Sequence, residues 1–295
     1  MNIIFFAKGK RGQRCLDYLL QRDYQIQAVV TIQEEPALKT MIANREVPIL
    51  IPEKVNTKRF AKTLKSYDPD LFVLSGYNKI LRPVIFDIPP LGTINLHGGL
   101  LPEYRGAAPI NWQIINGETI GGCSIIYVDE GIDTGDIIRQ QYYRIHPEDT
   151  HASVLEKTLE IFPPLLRKVL EDIEKGQETV IPQDPEEGSY YTRRYPRDSK
   201  IDWKGMSDIE VHNLVRGMHG PYPAAFTFRG EQRVEIDRTT LINETVKGVP
   251  GRVPKQRENS VIVLAKNRGL LVDVIHVDGQ SIPPAEFFNL GDDLR

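Results

Sequence analysis

The spacing of apolar and polar positions changes several times along this chain, and each change marks an element. IIFFA (Ile3 to Ala7) is a short continuous apolar run, as a strand covered on both faces requires, while QRCLDYLLQ carries apolar residues at helical spacing. QIQAVVTI, PILI and DLFVLSG repeat the strand signal, with the helix-like PALKTMIANR and NTKRFAKTLKSY between them. Strands alternating with helices predict an α/β fold with a parallel, doubly wound sheet, in which ligands lie beyond the carboxyl ends of strands. TINLH continues the series, and GGCSIIYVDEG and DIIRQQYYRI read as two more strands joined by residues 130–135. A long helix follows from His151 to about Lys175, capped by Asp149 or Thr150, with a kink or break expected at Pro163 and Pro164.

The pattern then breaks down. IPQDPEEGSYYTRRYPRDSKIDW, from Ile181 to Trp203, combines prolines, clustered charge and tyrosines with little apolar periodicity. Beyond it come one helix, SDIEVHNLVRGMHG, and short strands AAFTFRG, RVEIDRTTLI, GRVPKQ, SVIVLAK and GLLVDVIHV separated by turn residues, which predict a small barrel-like all-β domain. The organisation read from sequence is therefore an N-terminal α/β domain over residues 1–188, a linker over 189–202 and a C-terminal β domain over 203–295.

Composition narrows the function. The chain has 295 residues, 40% of them hydrophobic and 26% charged, with a net charge of −3. Such a balance exerts no global attraction on nucleic acid or anionic membranes. The two cysteines, Cys15 and Cys123, both fall in apolar contexts and read as free core residues of a cytoplasmic protein. MNIIFFAKGK has too short an apolar run for a signal peptide, and no window approaches a membrane span.

Several motifs are set aside. KGKRG after the first strand matches neither the dinucleotide fingerprint nor the P-loop, and reads as a turn into a helix. VDEGIDTGD holds Asp129, Asp133 and Asp136 without the spacing of a calcium loop, and Gln140 stands where its closing glutamate would fall. The remaining histidines, His146, His151, His212, His219 and His276, lack metal-like spacing, so no metal site is expected.

One constellation remains. In the strand that ends NLH, residues i and i+2 point to the same side, so Asn95 and His97 face one cavity while Leu96 faces the core. Leu100-Leu101-Pro102-x-x-Arg105-Gly106 follows, and Asp133 stands between glycines in Gly131-Ile132-Asp133-Thr134-Gly135. An asparagine amide donates to an oxygen that becomes an oxyanion, a histidine donates or shuttles a proton, and a carboxylate orients the imidazole or accepts an amine's proton. With no serine or cysteine nucleophile beside them, the three suit direct acyl transfer to an amine.

These residues closely resemble the signature of the 10-formyltetrahydrofolate-dependent formyltransferase family, Asn-x-His, then SLLPxxRG, then an Asp in a glycine-flanked loop. Gly99 is the one departure, standing where the family usually has serine. The resemblance extends through RRYPRDSKIDW and IEVHNLVRGMHGPYPAAFTF to nearly the whole chain. It implies a Rossmann-like formyltransferase domain followed by a small OB-like β-barrel, and catalytic roles for Asn95, His97 and Asp133. It implies 10-formyltetrahydrofolate as co-substrate, against Tyr77, Ile80 and Asp129.

For the acceptor, the wording RGAAPINWQIINGET is closest to the sugar-nucleotide enzymes of the family, the aminoarabinose type, which serve surface-glycan biosynthesis. The related methionyl-tRNA formyltransferases carry a basic, glycine-rich loop after the second strand, where this chain reads VTIQEEPALKT. The expectation is thus an amino-sugar nucleotide, with a 4-amino sugar on UDP or dTDP, and no nucleic-acid or membrane partner; a homodimer is left open. Arg105, Asn111, Trp112, Tyr191, Arg193 and Arg194 are the candidate acceptor contacts, arginines for a diphosphate and an aromatic ring for the base. The rival within the family is methionyl-tRNA formyl transfer. A non-catalytic folate- or nucleotide-binding module is the rival of another class, against which the joint presence of Asn95, His97 and Asp133 argues.

Overall fold

The computed structural model describes residues 1–220 and 222–295. The chain begins β1 (Asn2–Ala7), α1 (Gly9–Leu20), β2 (Gln25–Val30), α2 (Pro36–Ile42), β3 (Ile49–Leu50), α3 (Lys58–Lys65), β4 (Leu71–Ser75), α4 (Pro83–Phe86) and β5 (Thr93–His97). It continues β6 (Arg105–Gly106), α5 (Pro109–Ile115), β7 (Ile120–Tyr127), β8 (Ile137–Arg144), α6 (His151–Glu174) and β9 (Tyr190–Tyr191). After a 3-10 turn at Pro196–Ser199 come α7 (Asp208–Gly217), β10 (Ala225–Arg229), β11 (Gln232–Thr240), β12 (Lys255–Arg257), β13 (Ser260–Leu264), β14 (Gly269–Val277), β15 (Gln280–Ile282) and α8 (Pro284–Phe287).

Two compact units result. The first contains residues 1–106, 122–143 and 156–191, the second residues 107–121, 144–155 and 192–295. Each unit is built from three stretches of chain. Residues 107–121 group with the C-terminal residues because α5 packs on α7, with Asn111 donating to the Gly217 carbonyl at 2.7 Å.

In the first unit, seven strands run in the order β3-β2-β1-β4-β5-β7-β8. The reversal between β1 and β4 is the doubly wound switch point. Ile3, Ile4, Phe5 and Phe6 of β1 and Phe72 and Val73 of β4 are fully buried, as strands covered on both faces must be. The sheet is mixed rather than wholly parallel: β7 pairs antiparallel with β5, His97 opposite Ser124 and Ile94 opposite Tyr127. Alternation of elements predicts parallel pairing only where a helical crossover returns the chain to the starting edge. Helix α6 runs unbroken through Pro163 and Pro164. Phe162, Leu165, Leu166, Val169 and Leu170 are buried around the prolines, and that packing holds the helix where two amide hydrogen bonds are missing.

In the second unit, β10-β11-β14-β13-β12 form an antiparallel sheet, with β15 added on β14. Its edges are joined by the last residues of the chain. Phe228 and Arg295 exchange backbone hydrogen bonds at 2.9 Å, and Gly251 accepts from Leu294 at 2.8 Å, so the tail bridges β10 to the segment leading into β12. The sheet curls around Val234, Ile236, Val261, Val263, Val272, Ile275 and Phe288. A capping box between Ser207 and Glu210 starts α7, which closes this core with Val211, Leu214 and Val215.

Candidate active site

Asn95 and His97 project from the same face of β5, and the loop joining β7 to β8 brings Asp133 to both. Asn95 Nδ2 donates to Asp133 Oδ1 at 3.4 Å, and His97 Nδ1 lies 3.5 Å from Asp133 Oδ2. The Gly106 amide donates to the same Oδ2 at 3.0 Å. The other ring nitrogen of His97 faces the Tyr104 carbonyl at 2.6 Å. A carbonyl only accepts, so Nε2 carries a proton and Nδ1 is the atom left for Asp133.

Asp133 sits in the left-handed region, at φ +57°, which aspartate tolerates better than most side chains, and its loop is held there from outside. Gln183 supplies the hold, donating to the Asp133 carbonyl at 3.0 Å and the Gly135 carbonyl at 2.6 Å. Gly135 cannot carry a side chain, because a Cβ would lie 1.9 Å from the Tyr127 carbonyl oxygen. Arg105 supports Gln183 in turn. Only 1% exposed, its guanidinium donates to Gln183 Oε1 at 3.0 Å, the Glu187 carbonyl at 2.8 Å and the Asp184 carbonyl at 3.1 Å. Arg105 thus braces the Asp133 loop from within, each of its three nitrogens donating to the chain itself.

The residues expected to meet folate lie apart in character. Tyr77 is buried with its ring edge-on to Phe6, and burial pushes its phenol up to about 12. It borders a cavity of about 620 Å³ at the carboxyl ends of β2 to β4, shared with Ile32, Ile51, Val55, Lys79 and Arg82. Ile80 is 65% exposed, and its carbonyl accepts from Asn56 at 2.9 Å. Asp129 turns its carboxylate onto its own loop, accepting from Thr134 at 2.7 Å and from the Gly131 amide at 3.1 Å.

The acceptor candidates fall into two groups. Tyr191 belongs to the first unit, where its ring stacks on Tyr104 at 4.9 Å and 8°. Asn111, Trp112, Arg193 and Arg194 belong to the second. There the Arg194 guanidinium lies 4.7 Å from the centre of the Trp112 ring, and Trp112 Nε1 donates to the Thr192 carbonyl at 3.0 Å. Burial holds Arg194 below the ordinary arginine pKa, with Asp198 opposing the shift. Arg193 lies 6.0 Å from the Tyr195 ring, and Asn111 is wholly buried on α7. Among the described residues no cluster of three or more His, Cys, Asp or Glu is arranged to hold a metal ion, and no helix is long and apolar enough to cross a membrane.

Residues 1–170 match the Formyl transferase family and residues 194–291 the Formyl transferase C-terminal domain. The chain is a member of the formyl transferase family. Among its relatives, the methionyl-tRNA formyltransferase of Acetivibrio thermocellus is 35% identical over 274 residues, covering 89% of this chain and 88% of the relative. In fold it is similar to WlaRD, a sugar 3N-formyl transferase solved with dTDP and 5-N-formyl-THF, with a TM-score of 0.70, 20% identity, and coverage of 92% of this chain and 96% of that one. HypX from Aquifex aeolicus, solved with tetrahydrofolic acid, aligns with a TM-score of 0.67 and 19% identity over 97% of this chain, which spans 46% of HypX.

In this formyl transferase, sequence reasoning missed the residues that act through the backbone. Tyr104 contributes its carbonyl and Gly106 its amide, groups every residue carries. Arg11 also escaped notice: it reaches from α1 to the Leu96 carbonyl at 3.2 Å, with its guanidinium 4.8 Å from the Phe162 ring centre. The glycines and prolines crowded around NLHGGLLPEYRG were the available signal, since such crowding means close backbone approach.

Proposed function

We propose that this formyl transferase, as a cytoplasmic enzyme, uses 10-formyltetrahydrofolate to formylate the amine of a nucleotide-linked amino sugar. The co-substrate supplies the formyl carbon. The cavity beside Tyr77 is apolar at Ile32, Ile51 and Val55 and carries Lys54, Lys79 and Arg82 against the single carboxylate of Glu53, a lining that suits an aromatic molecule bearing carboxylates. Asn95 has two amide hydrogens; one goes to Asp133, and the second is available to an oxygen that gains charge as the amine attacks. Asp133 takes the proton the amine must lose and passes it to His97 Nδ1, the ring nitrogen that the Tyr104 carbonyl leaves without one.

The β2–α2 connection carries the choice of acceptor. It is TIQEE, residues 31–35, without a cation, and Glu35 is drawn inward to accept from the Gly9 amide at 3.2 Å and Gln13 at 2.9 Å. Residues 192–295 hold sixteen lysines and arginines against fourteen aspartates and glutamates. A tRNA reader must neutralise many phosphates and needs a broad basic surface. A nucleoside diphosphate needs only a few cations, which Arg193, Arg194, Arg197 and Lys200 provide.

Methionyl-tRNA is the second reading, and the comparisons lean towards it. The relatives at 35% identity over nearly full length bear that name, whereas likeness at 20% identity to a sugar formyltransferase speaks only to fold. The deciding experiment measures tetrahydrofolate release with a panel of UDP- and dTDP-linked amino sugars, with charged initiator tRNA alongside. Turnover on a 4-amino sugar nucleotide well above that on tRNA is expected. Formylation of methionyl-tRNA at a rate matching every sugar nucleotide would transfer the assignment to the second reading.

A further inference from the structure

Gly99, the one position at which the signature departs from its family, lies against the imidazole of His97. A Cβ built on Gly99 would stand 2.8 Å from His97 Nε2, 2.8 Å from the Tyr104 carbonyl oxygen and 2.8 Å from Tyr104 Cβ. No real Cβ sits that close to three atoms, and one of them belongs to the backbone, so the turn would have to open. The 2.6 Å bond between His97 Nε2 and the Tyr104 carbonyl exists because residue 99 has no side chain. Gly99 is not at a positive φ, so the requirement is for space alone and not for backbone freedom.

The turn that presents this carbonyl is tied at both ends. Ser124 Oγ donates to the Gly99 carbonyl at 2.8 Å and accepts from the Leu101 amide at 3.2 Å, fixing the start of the turn. The Tyr104 amide donates back to the Leu100 carbonyl at 3.1 Å. The Tyr104 ring stacks on Tyr191, and the Arg105 amide donates to the Ser189 carbonyl at 3.0 Å, which ties the end of the turn to residues 189–191.

We propose that Gly99 is a positioning residue of this site: its missing side chain lets the Tyr104 carbonyl hold the Nε2 proton of His97, which fixes the imidazole with Nδ1 towards Asp133. This rests on the reading of His97 as part of the formyl-transfer site. The Tyr104 carbonyl takes one ring nitrogen out of the reaction and leaves the other, Nδ1, open to accept a proton from the carboxylate that receives it from the amine. A serine here, which the family usually has, would crowd that bond in this backbone geometry.

The test compares the wild-type protein with Gly99→Ala and Gly99→Ser by nitrogen-15 NMR of histidine-labelled protein and by steady-state kinetics. Wild type is expected to show a hydrogen-bonded Nε2 proton on His97, and both variants to lose it. Their kcat should fall by about tenfold or more, with the KM for the folate within about twofold, since a sub-ångström displacement of a supporting group acts on the reacting geometry. A wild-type ring protonated on Nδ1 alone, or variants that keep the bonded Nε2 proton, overturns the proposal without needing an active enzyme. Loss of that proton with full kcat would overturn the use of His97 in the proposed reaction while leaving the steric relation intact, so the two failures are told apart. Should either variant fold poorly, the wild-type spectrum still decides which nitrogen Tyr104 holds.

Discussion

His97 Nδ1 and Asp133 Oδ2 lie 3.5 Å apart although 36 residues separate them, and the carboxylate reaches the ring from a backbone held at φ +57°. Asn95 approaches the other oxygen of the same carboxylate. Asp133 is thus the hub of the site, and the first prediction follows from that. Asn95→Ala, His97→Ala and Asp133→Ala should each lower kcat by about 100-fold or more, as removal of an oxyanion donor or general base does. Circular dichroism should show the fold retained. Near-normal turnover in any two of the three would remove the assignment.

Arg105 should behave as a brace. Its three acceptors, Gln183 Oε1 and the carbonyls of Asp184 and Glu187, lose their donor in Arg105→Met. Losing these three partly buried, charge-assisted bonds is expected to cost about 2 kcal/mol, read from urea unfolding. Arg105→Lys should recover little, because an ammonium cannot direct donors three ways from a planar fork. Unfolding midpoints equal to wild type would show that the guanidinium is not structural.

Arg194 stacks on Trp112 and donates to the Asp198 carbonyl at 2.5 Å, a prepared cation on an aromatic platform. Arg194→Ala should raise the KM for the amine acceptor at least about tenfold, the loss of one charge-assisted contact, with the folate KM unchanged. An unaltered acceptor KM would place acceptor binding elsewhere.

The buried Asp208 gives a prediction in pH. Burial raises its carboxyl, but hydrogen bonds from Asn267 at 2.8 Å and Arg268 at 2.6 Å, with the charge of Arg268, outweigh it and hold the pKa below the usual value. The unfolded chain then binds this proton more readily than the folded one. The stabilisation is full above the ordinary carboxylate pKa of about 4 and is lost as pH falls through the folded value. Asp208→Asn should melt below wild type at pH 7, and the gap should close as pH is lowered towards 3. A gap that stays constant over that range would exclude the linkage.

The sequence by itself determined the elements and the candidate groups of the site. Buried strands such as IIFFA and LFVLS are legible because both faces are covered, and periodicity is a local property. Asn95 and His97 could be assigned to one face because alternation in a strand is geometric, and the formyl transferase signature named Asp133. What only the tertiary structure decided are the relations that depend on chain direction and packing. The antiparallel course of β7 cannot be read from alternation, and α6 survives Pro163 and Pro164 because its buried flank outweighs the lost backbone bonds. Arg105 and Arg194 are both arginines in suggestive motifs, yet one is wrapped by carbonyls from residues 184 and 187 and the other lies on a tryptophan. A residue type states what a side chain can do; only the fold determines which partners have already claimed it.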